Sequence, residues 1–165
     1  MNLNYNIILC GFMGAGKSTI GKSLSLKTGS EIIDTDNYIE NLLDMPIKNI
    51  FNKFGEQYFR NIEAEICKYL CLFQNKIIST GGGTLLNFNN VQALHKTSKI
   101  IFLNVPLNII KKRLLNDYSR PLLNKVKHLE KLYYERLPLY KNIADIIVNN
   151  TSNIEKTCNE IIKCI

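Results

Sequence analysis

A chain of 165 residues, 45% hydrophobic and 21% charged, is long enough to bury a core and too apolar to be disordered. Its formal charge of +7 favours anionic partners, whether nucleotides, carboxylates, nucleic acid or acidic lipid, without choosing among them. The basic residues are scattered rather than gathered in a tail, which argues against a nucleic-acid arm, and the first apolar run is too short to span a bilayer.

That first run, NIILC (6–10), reads as a strand covered on both faces. Behind it stands GFMGAGKST (11–19), with Gly11, Gly16, Lys17 and Ser18 at the fixed places of a phosphate-binding loop. Glycines let the backbone curl its N–H groups toward phosphate oxygens, and a helix over 17–27 aims its positive end at the same anion. Lys17 adds a full charge toward the β and γ phosphates, and Ser18 offers a hydroxyl to Mg²⁺. A second strand, EIID (31–34), ends in DTD. Residues two apart in a strand share a side, so Asp34 and Asp36 are both expected to face the site unless the chain turns there. Asp34 suits a Mg²⁺ ion held through water, and Asp36 suits a substrate hydroxyl whose proton it would accept.

A helix over 56–72 carries FRNIE, with Arg60 and Glu63 on one face and Glu63 poised to fix the arginine. The third strand, KIIS (76–79), runs into STGGG, whose Gly81, Gly82 and Gly83 are read as N–H donors to a ligand at the strand's carboxyl end. A fourth strand, KIIFL (99–103), precedes a helix over 106–115 with Pro106 at its first position and Arg113 placed to stack on a base. The polar, proline-broken stretch 116–125 is a candidate mobile loop, from which Arg120 would stabilise a phosphoryl group in transit. A helix over 122–140 carries Arg136, a residue type that grips carboxylates with two parallel bonds. DIIV (145–148) is the fifth strand, and a helix over 153–165, capped by Ser152 or Asn153, closes the chain. Strands alternating with crossover helices imply an α/β fold with a parallel sheet, helices on both faces and ligands beyond the strands' carboxyl ends.

The five cysteines lack zinc or redox spacing and are expected as small, mostly buried groups in a reducing compartment. His95 and His128 are read as core or surface residues, with no metal assigned.

Taken together, GFMGAGKST, DTD, FRNIE, STGGG, SRPLL and ERLPLY followed by AD resemble shikimate kinase, in the order of that family and across residues 11–145. The resemblance implies a P-loop fold like that of nucleoside monophosphate kinases, with a five-stranded parallel sheet, a lid near 116–125 and a substrate-binding region near 36–62, all in one domain over 1–165. It implies transfer of the γ-phosphoryl group of ATP to the 3-hydroxyl of shikimate in aromatic amino-acid biosynthesis, with Mg²⁺ as cofactor. Gly14, Ala15, Gly16, Lys17, Ser18 and Thr19 would wrap ATP, with Arg113 and Arg120 beside it. Ser18 and, through water, Asp34 would hold the metal, with Ser79 nearby. Asp36, Arg60, Gly82 and Arg136 would contact shikimate, flanked by Gly81 and Gly83, and Lys17, Asp36 and Arg120 would carry the chemistry. One departure is visible: the family often has a glycine shortly before the position of Ile47, where this chain has LDMP with Asp44 and Pro46, which leaves the local helix entry open. The adenine side near 149–153 stays unassigned. A cytoplasmic monomer without nucleic-acid or membrane partners is the expectation. Another small-molecule kinase of this fold, or a non-catalytic nucleotide sensor, is the alternative.

Overall fold

The computed structural model describes residues 3–115, 126–151 and 153–165, with side chains from residue 128 onward in the last helix before the fifth strand. The lid expected at 116–125, Arg120 and the alternative cap Ser152 lie outside the described residues.

Five strands form one parallel sheet: β1 (Asn6–Cys10), β2 (Glu31–Asp34), β3 (Lys76–Ser79), β4 (Ser98–Asn104) and β5 (Ile146–Asn149), in spatial order β2-β3-β1-β4-β5. The central β1 is buried along its whole length, because helices cover both faces of the sheet. Its Ile7, Ile8 and Leu9 join Ile77, Ile78, Ile100 and Ile101 of the neighbouring strands in the core. All five expected strands are present, each within a residue or so of its expected bounds.

The helices are α1 (Lys17–Thr28), α2 (Thr35–Leu43), α3 (Ile47–Leu70), α4 (Phe88–His95), α5 (Leu107–Leu115), α6 (Val126–Ile143) and α7 (Ile154–Cys164). Pro106 stands one place before α5 rather than opening it, and its carbonyl accepts from the N–H groups of Ile109 and Ile110. Asn153 caps α7 by accepting from the Glu155 N–H at 2.7 Å.

Three helical stretches were not expected. α2 begins directly after Asp34, whose Oδ1 accepts from the N–H groups of Asp36 and Asn37. Asp36 therefore lies in the first turn of a helix, not on the strand, and reaches the site by that turn rather than by strand alternation. The first half of α3 and the short α4 are the other two; α3 is interrupted at Gly55, whose φ of 82° only glycine adopts freely.

The helix entry left open by LDMP is formed, and its device is specific. Asp44 takes a left-handed conformation (φ 47°) at the end of α2, where a glycine fits without strain and aspartate is tolerated. Glu40 then reaches forward and accepts from the Ile47 N–H at 2.8 Å, supplying the cap that Pro46 lacks. Among the described residues no helix is long and apolar enough to cross a membrane.

Candidate active site

Beyond the carboxyl ends of β1, β2 and β3 lies a cavity of about 820 Å³, lined by the P-loop, Asp34, Asp36, Arg60, the three glycines and Arg136. The stretch from Gly11 through α1 closes one side. Gly16 sits at the helix start with φ 87°, and a Cβ there would come within 2.9 Å of the Asn150 amide nitrogen. The carbonyls of Gly14 and Ala15 are held by side chains. Ala15 O accepts from Asn150 Nδ2 at 2.7 Å, and Arg113 Nη1 donates to Gly14 O at 3.2 Å and Ala15 O at 3.4 Å. The Ala15 N–H donates to Phe12 O at 3.1 Å, and the start of α1 offers its positive end to an anion. Lys17 folds back over its own loop and donates to Gly11 O at 2.9 Å and Phe12 O at 3.2 Å.

The metal-side residues meet. Ser18 Oγ donates to Asp34 Oδ2 at 2.6 Å and lies 3.3 Å from Ser79 Oγ. Asp34 thus divides its carboxylate, one oxygen capping α2 and the other toward Ser18. Hydroxyl and carboxylate oxygens are the donors a hard cation such as Mg²⁺ takes, so this pair fits it. Among the described residues no group of three or more His, Cys, Asp or Glu side chains could hold a metal.

Across the cavity, the glycine run makes room for two of the expected substrate residues. A Cβ on Gly81 would stand 2.5 Å from Asp36 Oδ1, and one on Gly83 would stand 2.7 Å from Arg60 Nη1. The N–H of Gly81 is donated to Thr35 Oγ1 at 3.0 Å, so it is not the ligand donor expected of it. Gly82 turns its carbonyl to two donors, Arg136 Nη1 at 3.2 Å and Tyr140 Oη at 2.5 Å. Tyr140 is buried and stacked on Phe102, and burial pushes its phenol up to about 12, so it remains a neutral donor.

Arg60 is bracketed by carboxylates. Nη1 donates to Glu63 Oε2 at 2.5 Å, while Nε and Nη2 donate to Glu56 Oε1 at 3.2 and 2.9 Å. Its guanidinium also lies over the Phe59 ring, 5.3 Å from the centroid. Burial works against the cation, but the bonds and charges of Glu63 and then Glu56 outweigh it and raise its pKa.

Asp36 has a different balance. Burial, then the charges of Asp34 and Glu63, push its carboxyl up from 3.8 to about 6; Lys17 opposes the shift and Glu40 adds to it. A carboxylate poised near neutral pH is a better proton acceptor than an ordinary aspartate.

Every expected site residue among the described ones lies in this region: Gly14, Ala15, Gly16, Lys17, Ser18, Thr19, Asp34, Asp36, Arg60, Gly81, Gly82, Gly83, Arg113 and Arg136. Arg113 is bonded to P-loop carbonyls and to Asn150 O at 2.8 Å rather than standing as a lone plate for a base. Sequence reasoning missed Asn150, Tyr140 and Thr84. Tyr140 sits in the quoted ERLPLY but looks like any core aromatic. Asn150 belongs to a polar stretch without a local pattern.

The flagged cysteines and His95 do not line the cavity. Cys10, Cys67 and Cys158 are buried, as expected of small apolar groups, whereas Cys164 is exposed. His95 sits on the surface, with Nε2 3.1 Å from Ile143 O.

A family model described as shikimate kinase matches residues 13–165. A shikimate kinase from Caldicellulosiruptor bescii is 43% identical over 147 residues, covering 87% of this chain and 85% of that one. Among solved structures, a shikimate kinase from Acinetobacter baumannii in complex with shikimate superposes with a TM-score of 0.86 at 30% identity, over 97% of this chain and 92% of that one. One from Bacteroides thetaiotaomicron gives 0.88 at 31% identity, over 97% of both chains.

Proposed function

Because the chain belongs to the shikimate kinase family and is an ATP-dependent kinase of aromatic amino-acid biosynthesis, we propose that its cavity joins ATP and shikimate with Asp36 receiving the hydroxyl proton. The observation that carries this reading is the meeting of a P-loop, a carboxylate near neutrality and two arginines in one cavity.

ATP lies with its phosphates in the curl of Gly14, Ala15, Gly16, Lys17, Ser18 and Thr19. Lys17 leaves the loop carbonyls for the β and γ phosphates, exchanging neutral partners for charged ones. Arg113 braces the loop and borders the adenine side. Arg120 keeps the ATP contact that the resemblance implies for a lid near 116–125, and residues 36–62 serve as the shikimate-binding region of a single domain. Ser18 would hold Mg²⁺ directly, and Asp34 would hold it through water. When bound, it neutralises charge on the transferring phosphoryl group.

The acceptor's carboxylate faces Arg60 and Arg136, and Gly82 and Gly83 offer N–H groups that have no partner among the described residues. Its 3-hydroxyl donates to Asp36. The hydroxyl oxygen forms a bond to the γ-phosphorus as the bond from that phosphorus to the ADP oxygen breaks. The hydroxyl proton passes to Asp36, and the products are shikimate 3-phosphate and ADP. The transition state is loose, so positioning and charge stabilisation do most of the work. A nucleoside monophosphate would set its own phosphate against Asp36, which disfavours it.

The test is ADP release by the purified protein with Mg-ATP, with and without shikimate. The expected result is turnover that depends on shikimate. ATP binding without shikimate-dependent turnover would overturn the acceptor assignment and leave the P-loop reading in place.

A further inference from the structure

We propose that Thr84 is a positioning residue for the acceptor, acting on Arg60 through the buried carboxylate of Glu63; this rests on the acceptor role of Arg60 given above. Glu63 is 3% exposed, and both its oxygens are satisfied by single donors: Oε2 by Arg60 Nη1 at 2.5 Å and Oε1 by Thr84 Oγ1 at 2.6 Å. Thr84 is itself 1% exposed. Its backbone is fixed at both ends, the N–H donating to Gly81 O at 3.3 Å and the carbonyl accepting from Asn90 Nδ2 at 2.9 Å. The hydroxyl therefore stands at a set place, three residues past Gly81, and holds the carboxylate from behind.

That hold matters because of how Arg60 is shared. A guanidinium has five N–H donors. Three are committed, one to Glu63 and two to Glu56, leaving one on Nη1 and one on Nη2 for a ligand carboxylate. Glu56 is mostly exposed and its pull is screened by water, whereas Glu63 is buried and its pull is not. The position of the two remaining donors over Gly83 is thus set mainly by Glu63. Removing the Thr84 hydroxyl leaves Oε1 buried and without a donor, a costly state for a charged group. Glu63 then turns to regain a partner, and Arg60 is left with the exposed Glu56, its free donors displaced from the acceptor.

Thr84→Val keeps the volume and removes the donor; Thr84→Ser keeps the donor. Steady-state kinetics in shikimate and in ATP are measured for both, alone and combined with Arg60→Ala. The expected result is that Thr84→Val raises the KM for shikimate about tenfold, about 1.4 kcal/mol, with kcat and the KM for ATP within threefold of the parent. Thr84→Ser restores the parent value within about threefold, and in the Arg60→Ala background Thr84→Val adds nothing further. An unchanged shikimate KM, an equal rise for both substrates, no rescue by serine, or the same added effect without Arg60 would each overturn the relay. Should the valine variant fail to fold, Thr84→Ala is read by the same criteria. If Arg60→Ala alone leaves the shikimate KM unchanged, the acceptor assignment itself falls and the relay with it; if only the Thr84 variants are silent, the relay alone falls.

Discussion

Asp36 and Gly81 occupy space that a single methyl group would contest: a Cβ on Gly81 would lie 2.5 Å from Asp36 Oδ1 and 3.0 Å from Thr84 Oγ1. The glycine is there because the carboxylate is there. Gly81→Ala must push Asp36 out of its place or shift the backbone. A displacement of an ångström at a reacting group costs roughly a hundredfold in rate. The expected outcome is a fall of that order in kcat/KM for shikimate, with nucleotide affinity within a few-fold, measured by steady-state kinetics and ATP titration.

The raised pKa of Asp36 makes two opposite demands. The proposed role as proton acceptor needs the carboxylate, so on that role kcat/KM for shikimate should fall as pH drops through about 6. Stability follows the other sign. A folded-state pKa above the unfolded value favours the folded state below about 3.8, and that contribution is lost as pH rises through about 6. At neutral pH the folded protein therefore bears the cost of a charged, half-buried carboxylate. Asp36→Asn should remove about 1–3 kcal/mol of that cost, raising Tm at pH 7 while lowering kcat by roughly a hundredfold or more. The gain in Tm should vanish below pH 4. Thermal unfolding at the two pH values, with the rate profile, checks both signs.

Arg136 spends one N–H on the Gly82 carbonyl and is also hydrogen-bonded with the Tyr140 side chain, while its guanidinium lines the cavity. Arg136→Ala should raise the KM for shikimate by roughly 10- to 100-fold, the range for losing a charged hydrogen bond, and leave the KM for ATP nearly unchanged. Equal effects on both substrates would contradict the division of the cavity into an acceptor side and a nucleotide side.

Asn150 is the mirror case on the nucleotide side. Its buried amide donates to Ala15 O and accepts from Thr157 Oγ1 at 3.0 Å, and its own carbonyl takes Arg113. Asn150→Ala leaves the Ala15 carbonyl with Arg113 alone, at 3.4 Å. An unsatisfied buried group costs about 1–3 kcal/mol. Tm should fall, and the KM for ATP should rise by about tenfold with the KM for shikimate little changed. Calorimetry and kinetics in both substrates test this.

The residues proposed for the reaction were legible in the chain as written, since a phosphate loop, a strand end and a glycine run are local patterns, each fixed by a few neighbouring positions. The five Ile-rich strands were legible for the same reason: a strand buried on both faces must be apolar along its length. α2 was missed although Asp34 is a good cap, because the DTD carboxylates read equally well as the end of a strand. The short α4 was missed although Asn87 caps it by accepting from the Asn89 N–H at 2.9 Å, because eight residues carry too little periodicity to mark a helix.

What the tertiary structure alone decided is how those residues are held. Asn150 and Ala15 are 135 positions apart, Tyr140 and Gly82 are 58 apart, and Thr84 and Glu63 are 21 apart. No local pattern marks such pairs, because each partner is an ordinary polar or aromatic residue until the sheet brings the other beside it. The glycine run shows the same division. Its composition announced that something must come close, and only the fold determined that Asp36 and Arg60 do, since the space a missing Cβ leaves is filled from another element of the chain.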